Sequence, residues 1–360
     1  MAYGTVNTDI VSDSSGGRLA PISSVFRNRI INGAMVIDQR NAGASVATTN
    51  VNIATYTVDR WAYQCSPASK FTIQQNAGSI TPPVGFNNYL GITSTSAYSL
   101  GAGDYFRITQ AVEGFNVSDL GFGTANAKTV TLSFQVYSSL TGTFGGCLQN
   151  GASNRSYPFS YSIPVANTWT SISVTIAGDT TGTWITTSGI GMLVQFGLGV
   201  GSTLSGTAGS WSANNYVSAT GATSVVGTNG ATFYITGVQL EVGSSATGFE
   251  YRQYQQELAL CQRYFQKVSF LGGIATGGSS TNMTTTYGVT MRGAPTVSLS
   301  GALTITDGSA DFTQSSANIT TYVSVSTGFY GVFSNFTGLT TSRPTFATQS
   351  SVALLASAEL

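Results

Sequence analysis

The residues able to do chemistry are few, and the most telling type is missing: the 360-residue chain contains no histidine. Without an imidazole there is no Ser-His-Asp or Cys-His relay to activate a hydroxyl or thiol, and almost all catalytic zinc sites lose a ligand. Carboxylates could instead work in pairs, as the acid and base of glycoside hydrolysis. Asp104, Glu113 and Asp119, with Asp59 earlier in the chain, are the nearest approach to such a set. They read as loop and strand-end residues or as partners in ion pairs, so the chain is expected not to be an enzyme. The glycine-rich GVGSTLSG (Gly199 to Gly206) lacks the lysine of a phosphate loop, and no Asp-rich loop offers a calcium site. No cofactor and no metal are expected.

Binding chemistry is better served. Sugars are held by aromatic faces flanked by hydrogen-bonding Asn, Ser and Asp groups. Trp211 and Tyr216 lie in GSWSANNYVSATG, and Tyr330, Phe333 and Phe336 in GFYGVFSNFTG. These five are the candidate ligand-binding residues. The competing reading is that each aromatic caps a core or fills a subunit interface.

Charge narrows the partners. Lys plus Arg number 14, as do Asp plus Glu. There is no basic face for phosphates and no polybasic run for anionic lipid, so neither nucleic acid nor a membrane is expected as a partner. Only 8% of residues are charged, against roughly 25% in an average soluble protein. A chain with so little charge is suited to life in an assembly. Cys65, Cys147 and Cys261 are odd in number and form no CxxC pair, so they read as buried small apolar residues. Met1 to Asp9 lacks the pattern of a signal peptide, and the most apolar stretch, Gly189 to Gly201, is too short to cross a bilayer. The chain is expected to be made in a cytoplasm and to be soluble or assembled there.

The elements that must position these residues are mostly strands. Residues 1–27 are small and polar, with SDSSGG from Ser12 to Gly17, and read as an attachment arm that other proteins order. Residues 28–249 have the texture of one large β domain. TVTLSFQVYSS places Val130, Leu132, Phe134 and Val136 on one face, and SISVTIAG does the same with Ile172, Val174 and Ile176. FTIQQN and ATFYITGVQLEVG repeat the period of two, with Gly, Asn and Asp turns between. Such a pattern predicts a sandwich or jelly roll. In the DRW triplet, a strand reading sends Asp59 and Trp61 to one face and Arg60 to the other. Trp61 is expected in the core and Arg60 in a buried pair with Glu241 or Glu250.

Residues 250–268 change texture. Tyr254, Leu258, Cys261, Phe265 and Val268 recur at steps of four and three, which predicts a helix with an apolar seam, packed on its own sandwich or at a subunit interface. Arg263 and Lys267 then fall in its last turn. GGIATGG and SSTN read as a spacer. Within residues 269–360, strand texture returns and predicts a second, smaller β-sandwich.

NRIINGAMVIDQRNAG (Asn28 to Gly43), followed by YTVDRW, resembles the opening of a carbohydrate-binding-like jelly-roll domain found in bacteriophage virion structural proteins. RITQAVEGF and KTVTLSFQVYSS fit the same family, and GVQLEVGSSATGFEYRQYQQELALCQRYFQK (Gly237 to Lys267) resembles its closing strand and following helix. TMRGAPTVSLSG and the final SAEL resemble the small β domain that often ends such chains, and MAYGTVNTDI resembles their start. The resemblance implies a virion protein, as a tail fibre or receptor-binding subunit contacting host surface polysaccharide. Its alternative is a capsid decoration or head-fibre protein with a purely structural role. It also implies a homotrimer, docked on other virion proteins through the arm, on the tail or the capsid surface. It supplies no ligand residues.

Overall fold

The computed structural model describes residues 11–12, 18–19, 26–269, 271–348 and 352–360. Most of the attachment arm expected over residues 1–27 lies outside the described residues.

Twelve strands build the two main sheets of the first domain. They are β1 (Val46–Ala47), β2 (Thr55–Tyr56), β3 (Ala62–Cys65), β4 (Phe71–Gln75), β5 (Leu90–Ser94) and β6 (Tyr105–Glu113). They continue with β7 (Val130–Ser138), β8 (Gly142–Gln149), β9 (Ser156–Ile163), β10 (Thr170–Ile176), β11 (Ile190–Val200) and β12 (Thr232–Val242). Two six-stranded sheets result. Sheet A has the order β9-β8-β11-β6-β3-β2, and sheet B the order β10-β7-β12-β5-β4-β1. All these pairings are antiparallel.

The alternating residues meet between the sheets. Val130, Leu132, Phe134 and Val136 of β7 face Phe196 of β11 and Phe159 and Tyr161 of β9 in one continuous core. Phe134 and Phe196 pack edge to face at 5.0 Å, the geometry the aromatic quadrupole favours. β12 switches parity midway. Phe233 and Ile235 point inward before a bulge, and Val238 and Leu240 after it. Gly237 sits at the bulge with φ +62, a conformation that costs a residue with a Cβ.

Among the described residues one α-helix, α1, spans Tyr254–Gln262. The helix expected over residues 250–268 is therefore shorter, and residues 265–268 form a strand paired with Leu354–Ser357. Tertiary pairing outweighs helical spacing there, because the strand buries Phe265 while Lys267 stays exposed. The seam also differs. Tyr254 is exposed, and the helix instead buries Glu257 and Cys261 against Ile31, Ile37 and Tyr264 of the same chain. Arg263 caps the helix and Lys267 lies beyond it.

The strands that follow the helix begin with β13 (Phe265–Val268), β14 (Gly272–Gly277), β15 (Ser280–Thr286), β16 (Thr296–Leu299), β17 (Thr304–Thr306) and β18 (Asp311–Thr313). After them come β19 (Ile319–Val325), β20 (Gly328–Phe333), β21 (Pro344–Ala347) and β22 (Leu354–Ser357). They form a three-stranded sheet, β13-β22-β16, and a seven-stranded sheet, β18-β17-β21-β14-β15-β20-β19, that curves as a half-barrel over its own core. The expected all-β architecture, a sandwich followed by a helix and a smaller β region, is what the chain adopts. GGIATGG is no spacer, however, but strand β14 of a hairpin with β15. Gly273 permits it, since a Cβ there would lie 1.7 Å from the Asn282 carbonyl oxygen.

Candidate functional site

The resemblance motifs turn out to be architecture. Asn28 accepts from the Ile30 and Leu240 amides and donates to the Val238 carbonyl at 3.2 Å. Asn32 donates to the Ile37 and Asp59 carbonyls and accepts from the Ile37 amide at 3.0 Å. Glu250 takes the Phe26 and Asn28 amides at 2.6 and 2.7 Å, Glu257 takes the Asn32 amide, and Arg252 donates to the Ile30 carbonyl at 3.0 Å. Opening and closing segments are thus clasped by polar side chains whose capacity goes to backbone. A cavity of about 140 Å³ lies beside this clasp, lined by Phe86, Phe249, Tyr251 and Tyr254.

The DRW segment is a turn, with Arg60 at φ +68, so the strand reading of its faces does not hold. Trp61 is fully buried as expected. Arg60 is buried too, but its partner is Glu359, not Glu241 or Glu250. Glu241 faces Arg27 and Glu250 faces Arg252. The final residues fold back onto the sandwich, where Tyr56 donates to the Leu360 carbonyl at 2.9 Å and Arg292 to that of Glu359 at 3.0 Å.

The carboxylates do not converge. Asp104 accepts from Tyr98, Ser66 and the Gly101 amide. Glu113 accepts from Arg263 and Tyr264, and Asp119 lies 2.7 Å from Arg29. All three cysteines are free and buried.

Of the five candidate aromatics, the structure keeps few for a ligand. Phe333 and Phe336 are buried core residues of the half-barrel. GFYGVF is strand β20, whose alternate residues must face inward. Tyr330, pointing the other way, is 47% exposed. Trp211 packs edge-on against Phe122, Tyr157 and Trp184, and its indole donates to the Ala177 carbonyl at 2.7 Å. Tyr216 is half-buried beside Gly206 and receives a bond from Asn214.

A different set comes together on the outer face of sheet A. Antiparallel register sets Gln64 opposite Arg107, and Thr109 opposite Gln195. Arg107 donates through Nε to Gln64 Oε1 at 3.1 Å and through its two Nη atoms to Gln64 and Gln195. Gln195 donates to Gln149 at 2.9 Å, and Gln149 donates to Asn215 at 2.8 Å and to the Tyr216 carbonyl. A polar ladder therefore crosses four adjacent strands. Its far end is sealed by the segment over residues 205–220, in which Ser205–Gly206 and Ser218–Ala219 pair as short parallel strands. Ser218 lies so close that a Cβ on Gly145 or Gly197 would meet its Oγ at 2.5 or 2.7 Å. At the open end Gln64, Tyr105 and Arg107 are half-buried and Asn52 is exposed. Tyr105 donates to Asn52 at 3.1 Å, and its ring centroid lies 5.3 Å from the guanidinium carbon. Of the sequence candidates, only Tyr216 borders this ladder, through its backbone. The signal for the rest was present: polar residues at outward positions of otherwise apolar strands, such as Gln195 within IGMLVQFGLGV.

No family model matches the chain. No curated protein matches it either. Among solved structures, it is similar to the enzymatically active domain of bacteriophage CBA120 tailspike protein 4, with 13% identity over 64% of this chain and a TM-score of 0.30. The match spans 23% of the tailspike chain. A putative sugar-binding protein from Bacteroides thetaiotaomicron, at 11% identity and TM-score 0.33, is covered in full and matches 60% of this chain. The family 11 carbohydrate-binding module from Clostridium thermocellum, in complex with a mixed-linked tetrasaccharide, is likewise fully covered, over 57% of this chain at 12% identity and TM-score 0.28.

Proposed function

We propose that this chain is a bacteriophage virion-surface protein that binds host surface polysaccharide through the outer face of sheet A, as a tail fibre or receptor-binding subunit. The observation that carries the reading is the ladder itself: Gln64, Arg107, Gln195 and Gln149 are aligned across four strands, with Tyr105 and Asn52 at its open end. Gln195 and Gln149 are fully buried and hold the frame, so the half-buried Gln64 amide and Arg107 guanidinium at the open end are preorganised to bond sugar hydroxyls, and the Tyr105 ring offers a face for stacking. The separate carboxylates, each engaged by other residues, favour binding over catalysis. Individual contacts of this kind are weak, and a homotrimer would raise avidity without stronger sites.

The test is binding of the purified chain to host envelope polysaccharide by affinity electrophoresis. Replacing Gln64 and Tyr105 together by alanine is expected to reduce retention at least tenfold with unfolding unchanged. Failure of the wild-type chain to bind any host polysaccharide or intact cells overturns the proposal.

A second reading, a capsid decoration or head-fibre protein, is favoured by the outer face of the half-barrel. Val323 and Tyr330 are cross-strand neighbours there, and exposed Val325, Ile274 and Phe346 share that face. Exposed apolar residues on both sides of the polar outer face of β15 suit protein contacts within an assembly. Antibody labelling of virions separates the two: label on the tail favours receptor binding, and label spread over the head favours decoration.

A further inference from the structure

We infer that Arg107 is the anchor for a carboxylate, so that the saccharide read by sheet A is an acidic one; this rests on the glycan-binding reading above. The argument starts from where this chain spends its charges. From Arg27 onward, every arginine except Arg107 and Arg292 has a carboxylate within 4.0 Å among the described residues. Arg292 donates to three backbone carbonyls, those of Ala358, Glu359 and Ser188. Arg107 has neither arrangement. Its acceptors are two neutral amide oxygens on its own sheet.

A guanidinium carries five N–H donors. Three are used by Gln64 and Gln195, which leaves one on each Nη. Gln64 Nε2 likewise has no hydrogen-bond partner among the described residues, so unused donors belong to two residues that stand opposite each other on β3 and β6. Burial pushes the Arg107 pKa down to about 10, with only Tyr105 and Cys147 opposing it, so the cation is desolvated and faces no carboxylate. A desolvated charge without a counter-charge is costly to keep, and a bound anion would offset that cost. The planar fork of the guanidinium matches a carboxylate in two parallel bonds. Asp104, the nearest acid in sequence, is already taken by Tyr98, Ser66 and Gly101.

The experiment measures affinity of the full chain for polygalacturonate, for the same polymer after carboxyl reduction, for a neutral mixed-linked glucan and for sulfated dextran. Polygalacturonate is expected to bind at least tenfold more tightly than its reduced form, with affinity falling as salt rises. Arg107→Gln is expected to abolish that difference, and Arg107→Lys to restore part of it. Equal binding of the acidic and reduced polymers refutes the carboxylate anchor while leaving glycan binding intact. Sulfated dextran binding as well as polygalacturonate also refutes it, because the site then reads charge alone. If none of the four polymers nor host polysaccharide binds, the glycan reading itself falls. Carboxyl reduction alters only the ligand, so this comparison holds even if Arg107→Gln fails to fold.

Discussion

Replacing Glu359 by glutamine should unseat a buried cation far away in sequence. Arg60 is 1% exposed, its guanidinium carbon lies 3.6 Å from the Tyr264 ring centroid, and it bonds Glu359 and the Ala111 carbonyl. Arg40 shares the same carboxylate at 2.7 Å. Removing one partner of a buried pair costs about 3–5 kcal/mol, because the other charge stays buried. The Tyr264 face and the Ala111 carbonyl remain, and a desolvated cation–π contact is worth about 2 kcal/mol. The lower end of the range, about 3 kcal/mol, is therefore expected. The assay is urea denaturation followed by tryptophan fluorescence; all four tryptophans lie between Trp61 and Trp211, so the signal reports the sandwich rather than the half-barrel. Arg60→Met with Glu359→Met should cost less than the sum of the two single changes, by about 2 kcal/mol or more. Costs that add to within about 0.5 kcal/mol would refute the clasp.

Three further predictions follow from buried polar groups. Asn32→Ala removes three side-chain bonds to backbone and leaves the Ile37 amide and the Asp59 carbonyl unsatisfied, while the Ile37 carbonyl keeps the Asp59 amide, so a loss of about 2–3 kcal/mol in urea unfolding is expected. Burial pushes the Asp59 pKa up to about 6 from 3.8, against the opposing pull of Arg40 and the Gln39 bonds. Since the folded value is the higher, Asp59 contributes stability below pH 4 that is lost as pH rises through 6. The stability of wild type relative to Asp59→Asn should accordingly fall by up to about 3 kcal/mol between pH 4 and pH 7, and a flat difference would count against it. Burial also raises the pKa of all three thiols, that of Cys65 to about 11. The native chain should resist iodoacetamide at pH 8 and react at three sites in urea, as mass spectrometry can count.

The strands were legible because alternation reports burial directly. Val130 to Val136 and Phe71 to Ile73 face the core as their period requires. What misled was the assumption that one texture means one element. The four-three spacing of Tyr254 to Val268 crosses a helix, a cap and a strand, and Phe265 is apolar because β22 covers it, not because a helical seam continues. Arg60 needed an acid, but Glu241 and Glu250 are engaged by Arg27 and Arg252, and Glu359 could be found only once the final strand had folded back. Gly328, Gly331 and Asn335 give the sequence around Phe333 and Phe336 the texture of a polar loop, yet Gly331 is a strand residue over which the Phe329 ring lies.

The harder lesson concerns which polar residues are free to act. Asn28, Asn32, Glu250, Arg252 and Glu257 carry the motifs that make this chain recognisable, and all five bond the backbone of the opening segment or of its neighbours. A chain with few charges uses them as internal fasteners, since each must be paired to be buried at all. Motif residues were therefore poor guides to a ligand. The better guide is a polar side chain whose surroundings fall short of satisfying it. Gln195 sits in an apolar strand yet is matched on both sides, by Arg107 and Gln149. Arg107 is not matched: it holds a full charge against neutral oxygens and keeps two donors in reserve. Spacing along the chain cannot reveal that shortfall, because it depends on which residues four strands bring side by side. Structure supplies it, and for that reason the case for function rests on Arg107 and its ladder rather than on the aromatic loops.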